Sequence, residues 1–241
     1  MTFAHCARWV MATSEARVSG RCWVLHRRPY RNSSLLVDLF SAAQGRLAVV
    51  ARGGQREPLL QPFRPLLAHW GGRGELRSLR SVEAAGITVS LQGEALYCGL
   101  YLNELLVRLL HRDDPQPDLV NAYETALELL AVADSPLDVV LRHFEMRLLD
   151  AMGYALTLQH DIQDQPLQAG RRYRLLPDQG LVVDASGPYA GAILNDIASG
   201  HWHDDSRRIA RDLMREALAP HLGDRPLVSR SLFRHAGKGA T

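Results

Sequence analysis

Short β-forming runs separated by turn residues dominate residues 20–70 and restrict what the chain can fold into. Residues 22–25, 35–40 and 47–50 are rich in leucine, β-branched and aromatic side chains, and Gly45 and Gly53-Gly54 break the pattern between and after them. Residues 63–70 and 75–82 predict a fourth and a fifth strand, joined by a turn at residues 71–74. Five short strands with turns at these intervals predict a small barrel of the OB type.

Charge is distributed unevenly along the chain, although the net charge is only +2. Residues 1–80 contain 13 arginines and four acidic residues, a net charge of +9, whereas residues 81–170 contain four arginines and 14 acidic residues, a net charge of −10. Residues 171–241 contain 11 basic and eight acidic residues, a net charge of +3. A basic segment joined to an acidic one predicts that a polyanion binds at one end of the protein.

Arginines at the strand ends and turns of the β-rich segment predict that this polyanion is a nucleic acid. Because side chains alternate along a strand, Arg46 and Arg52 are expected on the face opposite the apolar residues of their strand. Binding a single strand also needs flat side chains for stacking, and Tyr30, next to Arg31 in a predicted turn, is the first candidate, with Trp70 second. The other rings of the segment are expected in the core. The predicted contact residues are Arg21, Arg27, Arg28, Tyr30, Arg31, Arg46, Arg52 and Arg64.

Several segments, in order along the chain, resemble the bacterial recombination-mediator family RecO. VLHRRPYRNSSLLVDLF, GRLAVVARGG and LLQPFRPLL are similar to the amino-terminal module of that family, and LRHFEMRLLDAMGY and HLGDRPLVSRSLFR to its helical core and carboxy-terminal tail. The resemblance runs from about residue 18 to residue 236. Members of the family have a longer basic loop between the glycine turn and the LLQPF segment. In this chain the loop is shorter, because only Gln55-Arg56-Glu57-Pro58 follow Gly53-Gly54 there.

The resemblance implies an α+β fold, with an N-terminal five-stranded OB-type β-barrel followed by an α-helical domain that carries a small hairpin insertion. It implies a non-enzymatic role: binding single-stranded DNA, annealing complementary strands and helping to load RecA onto strands covered by single-strand-binding protein. The implied partners are single-stranded DNA, RecR and the acidic C-terminal tail of single-strand-binding protein. Double-stranded DNA stays open as a further ligand, and no cofactor is implied.

Apolar residues at helical spacing predict three consecutive helices, at 94–111, 117–133 and 136–152. In the third helix, Ser135 is predicted to be the N-cap, Pro136 to occupy the first helical position and Gly153 to end the helix. By the resemblance, this domain docks the acidic tail of single-strand-binding protein, and such a tail needs an arginine to pair with its carboxylate. Arg142 is the predicted partner-binding residue, and the alternative is an ordinary ion pair between Arg142 and Asp138.

Residues 157–190 are polar and irregular, and residues 173–176 and 181–183 predict a small hairpin within them. Some members of the RecO family bind zinc in this region through four cysteines, but this chain has no cysteine there. His160, Asp161 and Asp164 lack the ligand types and spacing of structural zinc sites. We therefore expect no metal.

A further helix is predicted from about residue 206 to residue 218, with Asp204 or Asp205 as its N-cap. Arg208, Arg211 and Arg215 share one face of this helix, which predicts a second DNA-binding strip.

The predicted domains are an OB domain at residues 18–85 and a helical domain at residues 86–241, with a zinc-less insertion at about 157–190. Residues 1–17 match nothing in the family and are expected to be disordered or a mis-assigned start, with Met11 as the initiator. Three widely spaced cysteines favour a reducing cytoplasm. The resemblance implies that the protein associates with the nucleoid there. No apolar run has the length of a membrane span.

Two other functions stay open at this point. His201, His203 and Asp205 could ligate a metal in a hydrolase, although the sequence has no Gly-rich phosphate loop and no His-Glu-x-x-His or Cys-x-x-Cys motif. An RNA-binding OB protein would have the same charge pattern, and competition between RNA and DNA of equal length would separate the two.

Overall fold

The computed structural model describes residues 18–72 and 74–236, the last three of these by their backbone alone. The predicted amino-terminal extension at residues 1–17 lies outside the described residues, as does Arg73 in the turn predicted at residues 71–74. The described chain begins with a closed five-stranded barrel and continues with six helices and a small sheet, so the predicted α+β fold is confirmed.

The barrel has the strand order β1-β2-β3-β5-β4, and all five strands predicted from the sequence are present. Their bounds are β1 (Val18–Tyr30), β2 (Ser34–Ser41), β3 (Gly45–Ala51), β4 (Pro65–Gly71) and β5 (Leu76–Ala84). Neighbouring strands pair antiparallel except β3 and β5, whose parallel pairing closes the barrel. β1 is much longer than the predicted run at residues 22–25 because its second half extends beyond β4 and pairs with β2 alone.

Alternating side chains fill the barrel interior, as the strand patterns predict. Val24, Val37, Leu39 and Val49 are fully buried and belong to one hydrophobic cluster inside the barrel. The side chains at the intervening positions of β1 and β2 point outward, and several of these are also apolar. This second apolar face is therefore available to pack against the rest of the chain.

The outward apolar face of the barrel packs against the helices and shares one hydrophobic core with them. Tyr123 is fully buried and meets the rings of Trp23, Phe40 and Phe144 edge-on, at centroid distances of 6.2, 6.0 and 6.3 Å. The buried Asn103 donates to the carbonyl oxygen of Leu25 at 3.0 Å and accepts from the Tyr123 hydroxyl at 2.6 Å. The prediction that Trp23, Phe40 and Phe63 lie in the core is confirmed.

The three consecutive helices are α1 (Gly93–Leu109), α2 (Pro117–Ala131) and α3 (Leu137–Ala151), close to the predicted bounds. The predicted start of α3 is wrong by one residue: Pro136 is the N-cap, and no side chain caps the helix. The backbone of Pro136 (φ −72°, ψ 82°) is not helical, so Ser135 is too far from the first turn to cap it. Gly153 ends α3 with φ 85°, as predicted. None of the helices in the described residues is long and apolar enough to cross a lipid bilayer.

The predicted hairpin is confirmed as β6 (Arg172–Leu176) and β7 (Gly180–Val183), and a short strand that was not predicted, β8 (Tyr189–Ala190), pairs with the other edge of β6. The chain then forms α4 (Gly191–Ala198), α5 (Asp204–Leu222) and α6 (Ser229–Ala236). The predicted cap of α5 is wrong: His203 and Ser206 form a capping box, and Asp204 and Asp205 lie in the first turn.

Candidate nucleic-acid interface and arginine pocket

The hairpin formed by the second half of β1 and the start of β2 carries four of the predicted contact residues. Arg27 and Arg28 lie in the part of β1 that only β2 pairs, opposite Val37 and Leu36, and both side chains are exposed. Arg31 follows in the turn with a left-handed backbone (φ 54°). Tyr30 is the last residue of β1 and not part of the turn as predicted, and its ring lies 5.2 Å from the Arg31 guanidinium carbon.

A second basic segment lies beside this hairpin. Gln55 donates its backbone N–H to the carbonyl oxygen of Ser33 and its side-chain amide to that of Ser34, each at 3.3 Å. These hydrogen bonds hold the short turn that contains Arg52 and Arg56 against the hairpin tip. Residues of this turn and of β5 line a cavity of about 280 Å³. Its lining includes both arginines and apolar residues: Arg52, Arg56, Arg80, Leu60, Leu79 and Val82.

We call Arg27, Arg28, Arg31, Arg52 and Arg56 the barrel-end arginines. All five side chains are exposed, and no acidic residue in the described parts of the chain forms an ion pair with any of them. A guanidinium group without a carboxylate partner can bind a phosphate without first breaking an ion pair. The barrel end is therefore a candidate phosphate-binding surface.

Arg46, a predicted contact residue, lies instead where the barrel meets the helices. Its Nη2 is 3.1 Å from Asp38 Oδ1, and its Nη1 donates to the carbonyl oxygen of Leu110 at 3.3 Å. The side chains of Arg46 and Asp38 are only 14% and 12% exposed, so the pair is largely removed from solvent. Arg46 therefore links two strands of the barrel to the end of α1.

Two more arginines of the barrel pair with acidic residues of the helical region. Arg21 forms a two-pronged ion pair with Glu124 of α2, and Nη1 of Arg21 lies 2.9 Å from Glu124 Oε2. Nη2 of Arg77 lies 2.7 Å from Asp113 Oδ1. We call Arg21–Glu124, Arg46–Asp38 and Arg77–Asp113 the junction ion pairs. Arg64, another predicted contact, is partly buried, and its Nε has no hydrogen-bond partner among the described residues.

The two candidates for base stacking differ in exposure. Trp70 is 1% exposed and donates its indole N–H to Gln44 at 3.0 Å, so the prediction that it stacks on bases is wrong. Its strand turns the ring into the barrel interior. Tyr30 is partly exposed at the hairpin tip, among the barrel-end arginines, and stays a candidate.

A pocket of about 760 Å³ lies between α3, α5 and α6 in the helical region, and Tyr101 of α1 also reaches it. Arg208, Arg211 and Arg215 of the predicted second strip line it, and Arg208 and Arg211 pair with Asp205 and Asp212 at 2.8 and 3.3 Å. We call it the arginine pocket, because six of its lining residues are arginines, with apolar and acidic residues between them. The lining consists of Arg142, Arg207, Arg208, Arg211, Arg215, Arg230, Asp138, Asp204, Tyr101, Leu141 and Phe233.

Arg142 belongs to a buried network at the wall of this pocket. It does not pair with Asp138, the alternative from the sequence; its Nη2 lies 2.7 Å from Glu145 Oε1, which also accepts from the Tyr101 hydroxyl at 2.6 Å. Burial raises the pKa of the Glu145 carboxyl, and the Arg142 charge and the Tyr101 hydrogen bond offset part of this rise. Arg142 is 8% exposed, and its Nε has no hydrogen-bond partner among the described residues. A buried polar atom without a partner is uncommon in folded proteins, so this Nε marks Arg142 as a residue to test at the pocket wall.

His201, His203 and Asp205 are not arranged as metal ligands. His203 Nδ1 accepts from the Ser206 N–H at the start of α5, and its Nε2 lies 3.1 Å from Asp196. Within the described parts of the chain, no group of three or more His, Cys, Asp or Glu residues is placed to hold a metal ion.

Sequence reasoning missed two residues at these sites. Arg77 gave no signal of its own, since it is one arginine among many. Glu104, which binds the start of α6, lies 125 residues from its partner Ser229. The Ser-Arg-Ser-Leu-Phe-Arg segment, which contains Arg230, resembles the family's carboxy-terminal tail, but nothing in its sequence indicates where it packs.

A five-stranded OB-type barrel with an exposed basic end, joined through a shared core to a helical region, is the architecture of an OB-fold binding protein. Comparison with known protein families identifies the family within this class of OB-fold proteins. Residues 15–87 match the family model described as Recombination protein O N terminal, and residues 90–231 match the model described as Recombination protein O C terminal.

Similar proteins carry the same family name. The chain is 49% identical over 217 residues to the DNA repair protein RecO of Pseudomonas paraeruginosa, which covers 88% of this chain and 92% of that protein. It is 46% identical over 229 residues to DNA repair protein RecO of Stutzerimonas stutzeri, with 92% and 96% coverage. It is 41% identical over 222 residues to that of Pseudoalteromonas atlantica, with 88% and 92% coverage. The chain belongs to the RecO family.

Proposed function

We propose that this protein is a non-enzymatic DNA repair and recombination mediator that binds single-stranded DNA at the barrel end. Through this surface it anneals complementary strands and, together with RecR, helps to load RecA onto strands covered by single-strand-binding protein. The names of the relatives, DNA repair protein RecO, support the repair role. The single observation that carries the DNA site is the group of five exposed barrel-end arginines without acidic partners in the described chain.

Charge neutralisation explains how such a surface would hold DNA. Each phosphate that an arginine neutralises releases condensed counterions, so the affinity falls as salt rises. For a single strand, each contact contributes about 0.7 to the slope of log K against log salt, and five contacts predict a slope of about −3.5. Tyr30 adds a ring on which a base can stack.

The arginine pocket is proposed as the docking site for the acidic C-terminal tail of single-strand-binding protein. Aspartates of the tail would pair with Arg211 and Arg215, and the terminal carboxylate would pair with the part of the Arg142 guanidinium group that lines the pocket. Tyr101, Leu141 and Phe233 supply apolar walls for the last side chains of the tail. The prediction that Arg208, Arg211 and Arg215 contact DNA competes with this proposal. The apolar side chains among the arginines favour a peptide.

The experiment for the DNA site is fluorescence anisotropy with a labelled strand of about 30 nucleotides, longer than the site of one OB fold, titrated at rising salt with EDTA present. Tight binding with a slope near −3.5, together with annealing of complementary strands, is the expected result. A slope near zero, or no binding at low salt, contradicts the proposal. Loss of activity in EDTA would favour the metal-dependent hydrolase, and preference for an RNA strand of equal length would favour an RNA-binding protein.

The experiment for the pocket uses a labelled peptide with several aspartates and a C-terminal phenylalanine, with either a free carboxylate or an amide at its end. We expect the amide to bind about tenfold more weakly, because a charge-assisted hydrogen bond is lost. Arg215→Ala is expected to weaken both peptides, and the exposed Arg171→Ala is the matched control. Equal binding of wild type and Arg215→Ala contradicts the assignment.

A further inference from the structure

The C-terminal helix α6 is attached to α1 by one carboxylate. Glu104 Oε1 accepts from the N–H of Val228 at 2.8 Å, and Glu104 Oε2 accepts from the N–H and the hydroxyl of Ser229 at 2.8 and 2.6 Å. The first N–H groups of a helix have no partner within the helix. Glu104 therefore caps α6 from a distant element, which is a task that a neighbouring Ser or Asp usually performs.

The Glu104 carboxyl is ionised at neutral pH in this arrangement. Burial acts to raise its pKa, but the hydrogen bonds from Ser229 and Val228, together with the nearby Arg108, outweigh burial and hold the pKa below its ordinary value. A negative charge at the start of α6 also interacts favourably with the helix dipole.

α6 is also held by apolar contacts on either side of its first turn. It is eight residues long, too short to be stable in isolation. Phe233 packs edge-on against Tyr97 of α1 at a centroid distance of 5.9 Å, and the buried Leu227 precedes the helix. Among the described side chains, the Glu104 hydrogen bonds and the apolar contacts of Phe233 and Leu227 therefore help to hold α6 in place.

The same helix supplies one wall of the arginine pocket. Arg230 and Phe233 both line the pocket, and the Arg230 charge acts on Glu145 and Tyr101 across it. If α6 moved away, the pocket would lose one of its six arginines and one of its apolar walls.

We infer that Glu104 is a positioning residue of the arginine pocket: by capping α6 it holds Arg230 and Phe233 in place to bind an acidic peptide. This inference rests on the proposed function of the pocket. Glu104 does not reach the peptide and acts only through α6. The C-terminal segment is thus part of the docking site, although Glu104, which holds it, lies far from it in sequence.

The test combines hydrogen exchange of the α6 amides with binding of the labelled acidic peptide, in Glu104→Ala, Glu104→Gln and the control Glu128→Ala, an exposed glutamate of α2. Loss of a helix cap is expected to raise exchange in α6 about fivefold to tenfold. Peptide affinity is expected to fall by a similar factor, and its salt dependence to decrease because Arg230 no longer contributes. Affinity for single-stranded DNA and the exchange of α2 are expected to stay unchanged.

Each readout separates a different failure. Faster exchange in α6 with unchanged peptide affinity overturns the positioning role, and unchanged exchange in Glu104→Ala overturns the attachment itself. A wild-type protein that does not bind the peptide overturns the proposed pocket and the binding half of this inference, while the exchange readout still decides whether Glu104 holds α6. If Glu104→Ala does not fold, Ser229→Ala removes a single hydrogen bond and is expected to give a smaller effect in the same direction.

Discussion

Arginines of the barrel occupy two contrasting settings. At the barrel end, Arg27, Arg28 and Arg31 are exposed and have no acidic partner in the described chain. At the junction with the helices, Arg21, Arg46 and Arg77 are paired with Glu124, Asp38 and Asp113. Residue type alone therefore does not identify a phosphate contact, because a nearby carboxylate gives the same side chain a structural role.

The charge asymmetry of the sequence also produces ion pairs between the barrel and the helical region at the junction. Of the acidic partners there, Glu124 and Asp113 belong to the segment with the net charge of −10, and their arginines belong to the segment with the net charge of +9. The two segments thus neutralise each other where they touch. Gly45 fits this junction closely, since a Cβ there would lie 1.7 Å from the carbonyl oxygen of Asp114. The uncompensated positive charge stays at the far end of the barrel.

The largest expected effect comes from breaking a junction pair. Arg46→Ala leaves the carboxylate of Asp38 largely buried, with only the more distant Arg112 nearby at 3.9 Å. Removing one partner of a buried ion pair is expected to lower the free energy of unfolding by about 3 kcal/mol, the lower end of the usual range because Arg112 stays near Asp38. Urea unfolding measures this change. An unchanged free energy of unfolding with a large loss of DNA affinity would place Arg46 in the DNA site, as the sequence predicted.

Tyr30→Ala at the barrel end is expected to have an intermediate effect. A base stacked on an aromatic ring contributes about 1–3 kcal/mol to single-strand binding, and the lower half of this range corresponds to a loss of affinity of about fivefold to thirtyfold. Anisotropy with the labelled single strand measures it. Tyr30→Phe keeps the ring and is the matched control. If Tyr30→Ala binds as tightly as Tyr30→Phe, the ring does not stack.

Arg21→Ala is expected to have the smallest effect. Its pair with Glu124 is partly exposed, with 47% of the arginine side chain in contact with solvent, so it contributes at most about 1 kcal/mol to stability. We expect affinity for DNA to change by less than about twofold, which is a smaller change than the loss of one phosphate contact would cause. A tenfold loss of DNA affinity in a folded Arg21→Ala protein would show that DNA displaces Glu124.

Local pattern was enough to predict most of the fold. The alternation in residues 35–40 and 47–50 and the helical spacing of residues 117–133 each depend on neighbours in sequence, and the structure has the corresponding elements. The β6–β7 hairpin and the five strands of the barrel follow from the same kind of local pattern. The parallel closure of β3 on β5 and the extension of β1 beyond β4 are not local, and neither was predicted.

For the candidate sites, the sequence predicted which residue types are present but not how they are arranged. The sequence indicated a basic barrel, but it does not distinguish the roles of Arg46 and Arg27. Only the structure shows that Arg46 contacts Asp38 and Leu110. Ion pairs such as Arg21–Glu124 join residues 103 positions apart, and no pattern in either segment specifies the other. The arginine pocket combines α3, α5 and α6 in the same way, so its shape appears only in three dimensions.

The most direct test of the claim that DNA binds at the barrel end compares two double variants that each remove two positive charges, one at the barrel end and one in the arginine pocket. The salt slope of single-strand binding is measured for wild type, for Arg27→Ala/Arg28→Ala at the barrel end and for Arg211→Ala/Arg215→Ala in the pocket. The account predicts that the barrel-end variant reduces the magnitude of the slope by about 1.4, or two phosphate contacts, while the pocket variant keeps the wild-type slope. A pocket variant that loses as much slope as the barrel-end variant, or an unchanged slope in the barrel-end variant, would contradict it.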